Sequence, residues 1–230
     1  MPNKHTEAIK TFKYLDIITG LFVAVLLISN ISANKILTIG PFSLDGGGLL
    51  FPLSYIFGDV LTEVYGYKRA RRVIWIGFIC AILMAVTLAI VTALPAASDW
   101  PFQEDWKNVL GGTWRIVLAS VIAYLAGELS NSFTLAKMKL ATKGRWLWSR
   151  TIGSTLVGEA IDTTVFMFIA FWGVLPLDLF IAVGVSGYFF KCSVEVIFTP
   201  ITYLVTNWLK KQENEDYYDT KTNFNPFKLS

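Results

Sequence analysis

Six long apolar stretches occupy more than half of the sequence. They cover about residues 14–33, 49–66, 73–94, 113–135, 151–174 and 179–208. Each is close to or above the ~20 residues that an α-helix needs to cross a bilayer. With 54% hydrophobic and only 16% charged residues, the 230-residue chain also lies outside the range of soluble domains. The pattern therefore predicts an all-α, polytopic membrane protein with six transmembrane helices.

The distribution of Lys and Arg predicts that both termini lie in the cytoplasm. With the N-terminus inside, the cytoplasmic segments hold sixteen of the twenty Lys and Arg residues, and the opposite side holds Lys35, Lys107 and Arg115. Basic loops favour the cytoplasmic side of a membrane. This bias explains the net charge of +3 without a nucleic-acid partner. We expect a multi-pass protein of a bacterial or archaeal cytoplasmic membrane, with the lipid bilayer as its partner.

The chain is predicted to contain one six-helix transmembrane domain, residues 1–208, and a polar cytoplasmic tail, residues 209–230. The tail loses hydrophobic periodicity and is predicted to be disordered. The first span lacks a small-residue cleavage site, so we expect it to be retained. The Gly-rich segment 34–48 reads as an external turn in preference to a loop that dips inward. Cys80 and Cys192 lack metal-ligand spacing, and no metal or cofactor is expected.

Four of the six spans carry polar residues in pairs. The members of each pair are three or four positions apart and therefore share one helical face. An ionised side chain facing lipid would cost roughly 2.5–3.5 kcal/mol, so we expect these faces to meet inside the bundle. The pairs are Asp59 with Glu63, Glu128 with Asn131, Glu159 with Asp162, and Lys191 with Glu195.

This convergence predicts a substrate cavity or ion path near the middle of the membrane, in preference to separate hydrogen bonds between helices. Six carboxylates and one lysine cannot all be ionised in a low-dielectric cavity, so some carboxylates should be protonated or bound to a cation. Lys191 can pair with Glu195 along its helix, which we favour, or reach an acid on another helix. Asn30 could line an entry path or only solvate a helix end, and Tyr55 could stack on a flat ligand.

Four segments carry a resemblance to a known family. "LISNISANK", "GDVLTEVYGYKRARR", "GEAIDTTVFMFIAFWG" and "FKCSVEVIFTP" occur in this order between residues 15 and 208. They resemble the queuosine precursor transporter family, also described as a vitamin uptake transporter family. The resemblance implies a six-helix protein of the inner membrane that takes up a 7-deazaguanine base such as 7-cyano-7-deazaguanine.

The resemblance implies a small-molecule substrate that the predicted site can recognise. A deazaguanine presents an N1–H and an exocyclic amino group side by side, and one carboxylate can accept both hydrogen bonds. Asp59, Asp162 and Lys191 are the candidates that the resemblance favours. The remaining candidates are Glu63, Glu128, Asn131, Glu159, Glu195, Asn30 and Tyr55.

Two other functions stay open at this level. A substrate-binding membrane subunit of a multi-component uptake system would share the same features. An intramembrane enzyme with paired carboxylates is disfavoured, because HExxH and GxSxG motifs are absent and the single histidine, His5, precedes the first span. We therefore predict a transporter coupled to protons or another ion, with no catalytic residues; whether it forms a homo-oligomer is left open.

Overall fold

The computed structural model describes residues 11–32, 35–39, 42–45, 50–111 and 114–228. Its helices are α1 (Leu15–Ser32), α2 (Phe51–Val60), α3 (Tyr67–Ala93), α4 (Gln103–Leu110), α5 (Trp114–Ala141), α6 (Leu147–Phe171) and α7 (Leu177–Glu213). A π-helical turn, Leu61–Tyr65, continues α2 directly. The six predicted spans correspond to α1, α2 with its π-turn, α3, α5, α6 and α7.

Four of these helices, α1, α3, α6 and α7, are long and apolar enough to cross a membrane. Helix α5, at 28 residues, is also long enough to cross a membrane. Helix α2 and its π-turn together span only about 22 Å at ~1.5 Å per residue, less than the ~30 Å of a hydrocarbon core. The helical membrane fold is thus confirmed, whereas the count of six spanning helices and their orientation stay predictions.

The surface of the bundle is apolar and its interior holds polar groups. Ile79, Leu83, Ile197 and Leu204 are exposed, whereas Asp59, Glu63, Glu128 and Glu159 are buried, among many similar residues. A soluble protein shows the reverse arrangement. The apolar exterior is suited to lipid, where hydrophobic burial does not hold helices together and close packing and polar contacts do.

Two connecting segments differ from simple loops. The part of segment 34–48 that the structure describes forms an antiparallel hairpin, β1 (Ile36–Ile39) with β2 (Phe42–Asp45), in which Ile36 pairs with Asp45. Helix α4 lies against the end of α3, where Trp106 Nε1 donates a hydrogen bond to Thr92 Oγ1 at 3.0 Å. Both elements belong to connections that the sequence predicts to be outside the membrane.

The C-terminal segment is ordered against the bundle, which differs from the disordered tail that its sequence predicts. Helix α7 continues to Glu213. The end of the bundle that carries the basic segments 67–72 and 137–150 is called here the inner end, and residues 214–228 cross it. The segment forms backbone and side-chain hydrogen bonds with it. They include Tyr217 N to Val64 O (3.2 Å), Tyr67 N to Asp219 Oδ2 (3.0 Å), Arg71 Nη1 to Asn223 O (2.9 Å) and Trp75 Nε1 to Pro226 O (2.8 Å).

Two glycines explain how the tail fits so closely. Gly66 and Gly144 have φ values of +84° and +76°, which favour glycine. An added Cβ would lie 2.2 Å from Tyr217 Cδ1 at Gly66 and 2.0 Å from Tyr218 Oη at Gly144. The absence of a side chain at these two turns, at the inner ends of α3 and α5, therefore leaves room for Tyr217 and Tyr218 of the tail to pack there.

Candidate functional site

Helices α5 and α6 approach each other closely beside the predicted acids. A Cβ added at Gly127 would lie 2.7 Å from Asp162 Cβ, and one at Gly158 would lie 2.8 Å from Asn131 Cβ. Small residues at such positions permit helix backbones to come together in a membrane. This close approach brings the polar faces of α5 and α6 together.

Asp59 and Asn131 link α2 to α5 in the middle of the bundle. Asn131 Nδ2 donates to Asp59 Oδ1 at 3.0 Å, and both side chains are fully buried. Within the described part of the chain, Asp59 Oδ2 and Asn131 Oδ1 have no hydrogen-bond partner. A buried polar atom without a partner is costly, so these two oxygens mark a place suited to a proton, a cation or a ligand donor.

Glu128 and Glu195 extend this group. Both are buried, and Glu128 Oε2 and both Glu195 carboxylate oxygens lack hydrogen-bond partners among the described residues. Glu128 lies against α2, since a Cβ at Gly58 would be 2.8 Å from Glu128 Oε2. Both glutamates are close enough to Asp59 to interact with it electrostatically. We call Asp59, Glu128, Asn131 and Glu195 the polar centre; its members come from α2, α5 and α7.

Lys191 pairs across helices, so the favoured prediction of a Lys191–Glu195 pair within α7 is wrong. Its Nζ lies 2.5 Å from Asp162 Oδ2 and 3.0 Å from Glu159 Oε2, both on α6. Asp162 and Glu159 are three residues apart and present their carboxylates to the same ammonium group. The long lysine side chain reaches them because α6 and α7 pack side by side. We call Glu159, Asp162 and Lys191 the lysine site.

An apolar recess of about 320 Å³ lies between α6 and α7, the two helices that carry the lysine site. Thr163, which follows Asp162, and Tyr188, one helical turn before Lys191, both line it. The rest of its wall is mainly apolar and includes the aromatic rings of Phe168, Phe180 and Phe189. Its volume lies at the lower end of the range of small-molecule sites. Phe168 and Phe189 are 49% and 63% exposed, so the recess opens on the apolar exterior of the bundle.

Glu63 belongs to a different group from the other predicted acids. Its carboxylate accepts hydrogen bonds from Arg150 Nη2 and Lys210 Nζ, each at 2.7 Å from Oε1, and Lys139 Nζ is 3.5 Å away. Three cations thus surround one buried carboxylate at the inner end. Glu63 is therefore engaged in an ion network and not in the polar centre, although it lies one turn from Asp59 on the same face.

The tail completes this inner network. Asp216 accepts from Lys139 at 2.6 Å and is 2.8 Å from Lys210. Burial alone would raise the pKa of the Asp216 carboxyl, but the two lysines outweigh burial and hold that pKa below its ordinary value. Lys139, Arg150 and Lys210 are functional candidates that sequence reasoning missed, because it treated them only as topology signals.

The two remaining candidates occupy separate places. Asn30 joins α1 to α5, since its Nδ2 donates to Leu26 O at 2.8 Å and its Oδ1 accepts from Ser120 at 3.3 Å. Tyr55 is buried on α2, one turn before Asp59. Asn30 thus contributes to contacts between helices, and Tyr55 lies on the face of α2 that carries the polar centre.

The chain is similar to known transporters over most of its length. It is 26% identical over 198 residues to the "Probable queuosine precursor transporter" of Bacillus subtilis (strain 168), covering 84% of this chain and 86% of that protein. It is 26% identical over 207 residues to the "Queuosine precursor transporter" of Escherichia coli (strain K12), covering 87% and 90%. The names agree with the prediction of a transporter and not an enzyme. No solved structure is significantly similar to this chain.

A family model gives the same result. Residues 45–205 match the family described as "Putative vitamin uptake transporter". The matched range contains α2, the polar centre and the lysine site. Because this match spans more than half of the chain, the protein belongs to the vitamin uptake transporter family.

Proposed function

We propose that this protein imports a queuosine precursor, a 7-deazaguanine base such as 7-cyano-7-deazaguanine, across the cytoplasmic membrane. The names of the similar transporters support the substrate class. The observation that carries the proposal is the lysine site, whose helices α6 and α7 also form an aromatic recess. A flat base stacked on aromatic rings could place its two adjacent donors against the carboxylate of Asp162.

The polar centre is proposed to couple transport to protons or to another cation. It contains five buried oxygens without hydrogen-bond partners in the described chain, namely Asp59 Oδ2, Glu128 Oε2, Asn131 Oδ1 and both Glu195 carboxylate oxygens. Intramembrane carboxylates of this kind are typical of proton relays and cation paths in transporters. Asp59 is an alternative substrate contact, and we propose that at least one of Asp59 and Asp162 binds the donor edge of the base.

The substrate is tested by ligand-induced stabilisation of the purified chain. We would measure thermal unfolding with guanine, 7-cyano-7-deazaguanine, its aminomethyl relative, queuine and biotin. A ligand that binds only the folded state stabilises it by roughly 2.7 kcal/mol at a hundredfold excess over its Kd. We expect deazaguanines to raise the unfolding temperature; a response to biotin alone would refute the substrate assignment.

Two assays address the mode of transport and the orientation. Uptake into vesicles that contain only this chain would distinguish a self-sufficient transporter from a subunit that needs energising partners. The same vesicles, with proton or sodium gradients imposed, test coupling; uptake indifferent to pH and to both gradients would mean facilitated diffusion. A reporter fused after Ser230 should be active only in the cytoplasm if both termini lie there.

A further inference from the structure

A second recess, at the inner end, is basic and is separate from the polar centre and the lysine site. It has a volume of about 290 Å³ and lies between α3 and the docked tail. Its lining residues are Lys68, Arg71, Tyr217, Lys221, Thr222, Asn223 and Lys228. Four of these seven residues are cations and none is acidic. The neighbouring carboxylate is Asp219, which accepts hydrogen bonds from Tyr67 N and from the Thr222 hydroxyl.

Arg71 is the buried cation of this recess. Its side chain is 1% exposed, and its guanidinium donates through Nη1 to the backbone carbonyls of Asn223 and Asn225. Among the residues that the structure describes, the Nε atom of Arg71 has no hydrogen-bond partner and its guanidinium group forms no ion pair. Backbone carbonyls satisfy donors but do not neutralise a charge, so this buried guanidinium favours a nearby anion.

The surroundings of the recess are those of a membrane surface. Phe227 is 73% exposed and its ring centre lies 6.0 Å from that of Trp75, at the start of an apolar helix. Lys228 follows Phe227 directly and lines the recess. An exposed phenylalanine that packs on a half-buried tryptophan beside clustered lysines is the composition expected where protein meets lipid headgroups.

We propose that this basic recess binds the phosphate group of an anionic phospholipid of the cytoplasmic leaflet. Arg71 and the three lysines provide donors and charge for the phosphate, and Phe227 with Trp75 lies against the apolar part of the leaflet. Because Lys68 and Arg71 come from α3 and Lys221 and Lys228 come from the tail, one bound phosphate would hold the tail on α3. The proposal depends on the predicted orientation and is independent of the transported substrate.

The test measures phosphatidylglycerol binding to the purified full chain in a neutral detergent by native mass spectrometry. The variant replaces three exposed lysines, Lys68→Gln, Lys221→Gln and Lys228→Gln, so that the buried Arg71 stays in place and folding is preserved. Lys211→Gln, another exposed lysine of the inner end outside the recess, is the matched control. We expect one phosphatidylglycerol to bind the parent, and the triple variant to bind it at least tenfold more weakly.

Further ligands distinguish the source of the phosphate. We expect phosphatidylcholine to bind more weakly than phosphatidylglycerol, because it has no net charge. Millimolar inorganic phosphate should not displace the lipid, since it lacks the apolar part. Equal lipid affinity in the triple variant and the Lys211→Gln control would overturn the proposal. Displacement by inorganic phosphate that depends on the same three lysines would overturn the lipid assignment in favour of a soluble phosphate compound.

Discussion

Arg150 binds both carboxylate oxygens of Glu63 in the interior of the inner end. Its Nη2 lies 2.7 Å from Oε1 and its Nε 3.3 Å from Oε2. The pair joins the start of α6 to the π-helical turn after α2, and Lys210 attaches α7 to the same carboxylate. Lys139 of α5 lies 3.5 Å from this carboxylate, so four helical elements meet on one buried charge. The tail joins them through Asp216, which contacts Lys139 and Lys210. Such a network stabilises this end only while its charges are matched.

Replacement of Glu63 by Gln should strongly destabilise the protein. The change leaves the buried Arg150 without its counter-ion and weakens the attachment of Lys210, and breaking a buried pair typically costs about 3–5 kcal/mol. The measurement is chemical unfolding in detergent. Glu104→Gln is the matched control, because the Glu104–Lys107 pair is exposed and should contribute little. Equal stability of the two variants would show that the Glu63 network does not hold the inner end.

Asp162→Asn and Asp59→Asn test the substrate contact. An amide offers one acceptor oxygen where a carboxylate offers two, so a two-point contact with the base loses one hydrogen bond. A charged hydrogen bond is typically worth ~1.5–3 kcal/mol, which corresponds to roughly ten- to hundredfold weaker binding. We expect this loss in at least one variant, measured as equilibrium binding of 7-cyano-7-deazaguanine.

Asp178→Asn serves as the control for that experiment, since Asp178 is exposed at the start of α7. Monodispersity of each variant would be checked before binding is compared. Parent-like affinity in both Asp59→Asn and Asp162→Asn would assign the two aspartates a structural role and refute the proposed contact.

Lys191→Met should change the pH dependence of uptake more than the choice of ligand. The ammonium group contacts Glu159 and Asp162 together, and its removal changes the electrostatic environment of both carboxylates. The measurement is uptake into vesicles as a function of pH, with relative affinities for the deazaguanines determined in parallel. Lys191→Arg keeps the charge and should restore part of the parent profile. A Lys191→Met profile that coincides with the parent profile would contradict a role in setting the protonation of the site.

Gly158→Ala should destabilise the contact between α5 and α6. The new methyl group would lie 2.8 Å from Asn131 Cβ and 3.1 Å from Gly127 O, and inserting a methyl group into a close contact typically costs about 1–3 kcal/mol. Gly187→Ala on α7 is the control, because a Cβ there meets nothing within 4 Å. We expect thermal unfolding to occur earlier in Gly158→Ala only. If both variants unfold like the parent, α5 and α6 have room to separate and the close crossing is not required.

Local patterns in the sequence were sufficient to predict that this is a membrane protein and to predict which side chains share a helical face. The apolar spans that contain Leu83 and Ile197 are long and apolar enough to cross a bilayer, so they predict a lipid exterior. The 3.6-residue period placed Glu128 with Asn131, and Glu159 with Asp162, each on one face.

Only the tertiary structure decided which partners those side chains have. The helical period shows which residues share a face, but it does not show which helix packs against that face. A lysine side chain is long enough to reach a carboxylate on its own helix or on a neighbouring one. Lys191 therefore reaches Asp162 on α6 instead of Glu195 on its own helix, and Glu63 meets Arg150 from a segment 87 positions away. The order of the tail has the same origin. The polar residues of the tail cannot form a hydrophobic core by themselves. The tail is ordered because it contacts the assembled bundle, where Tyr217 packs on Gly66 and Asp216 accepts a hydrogen bond from Lys139.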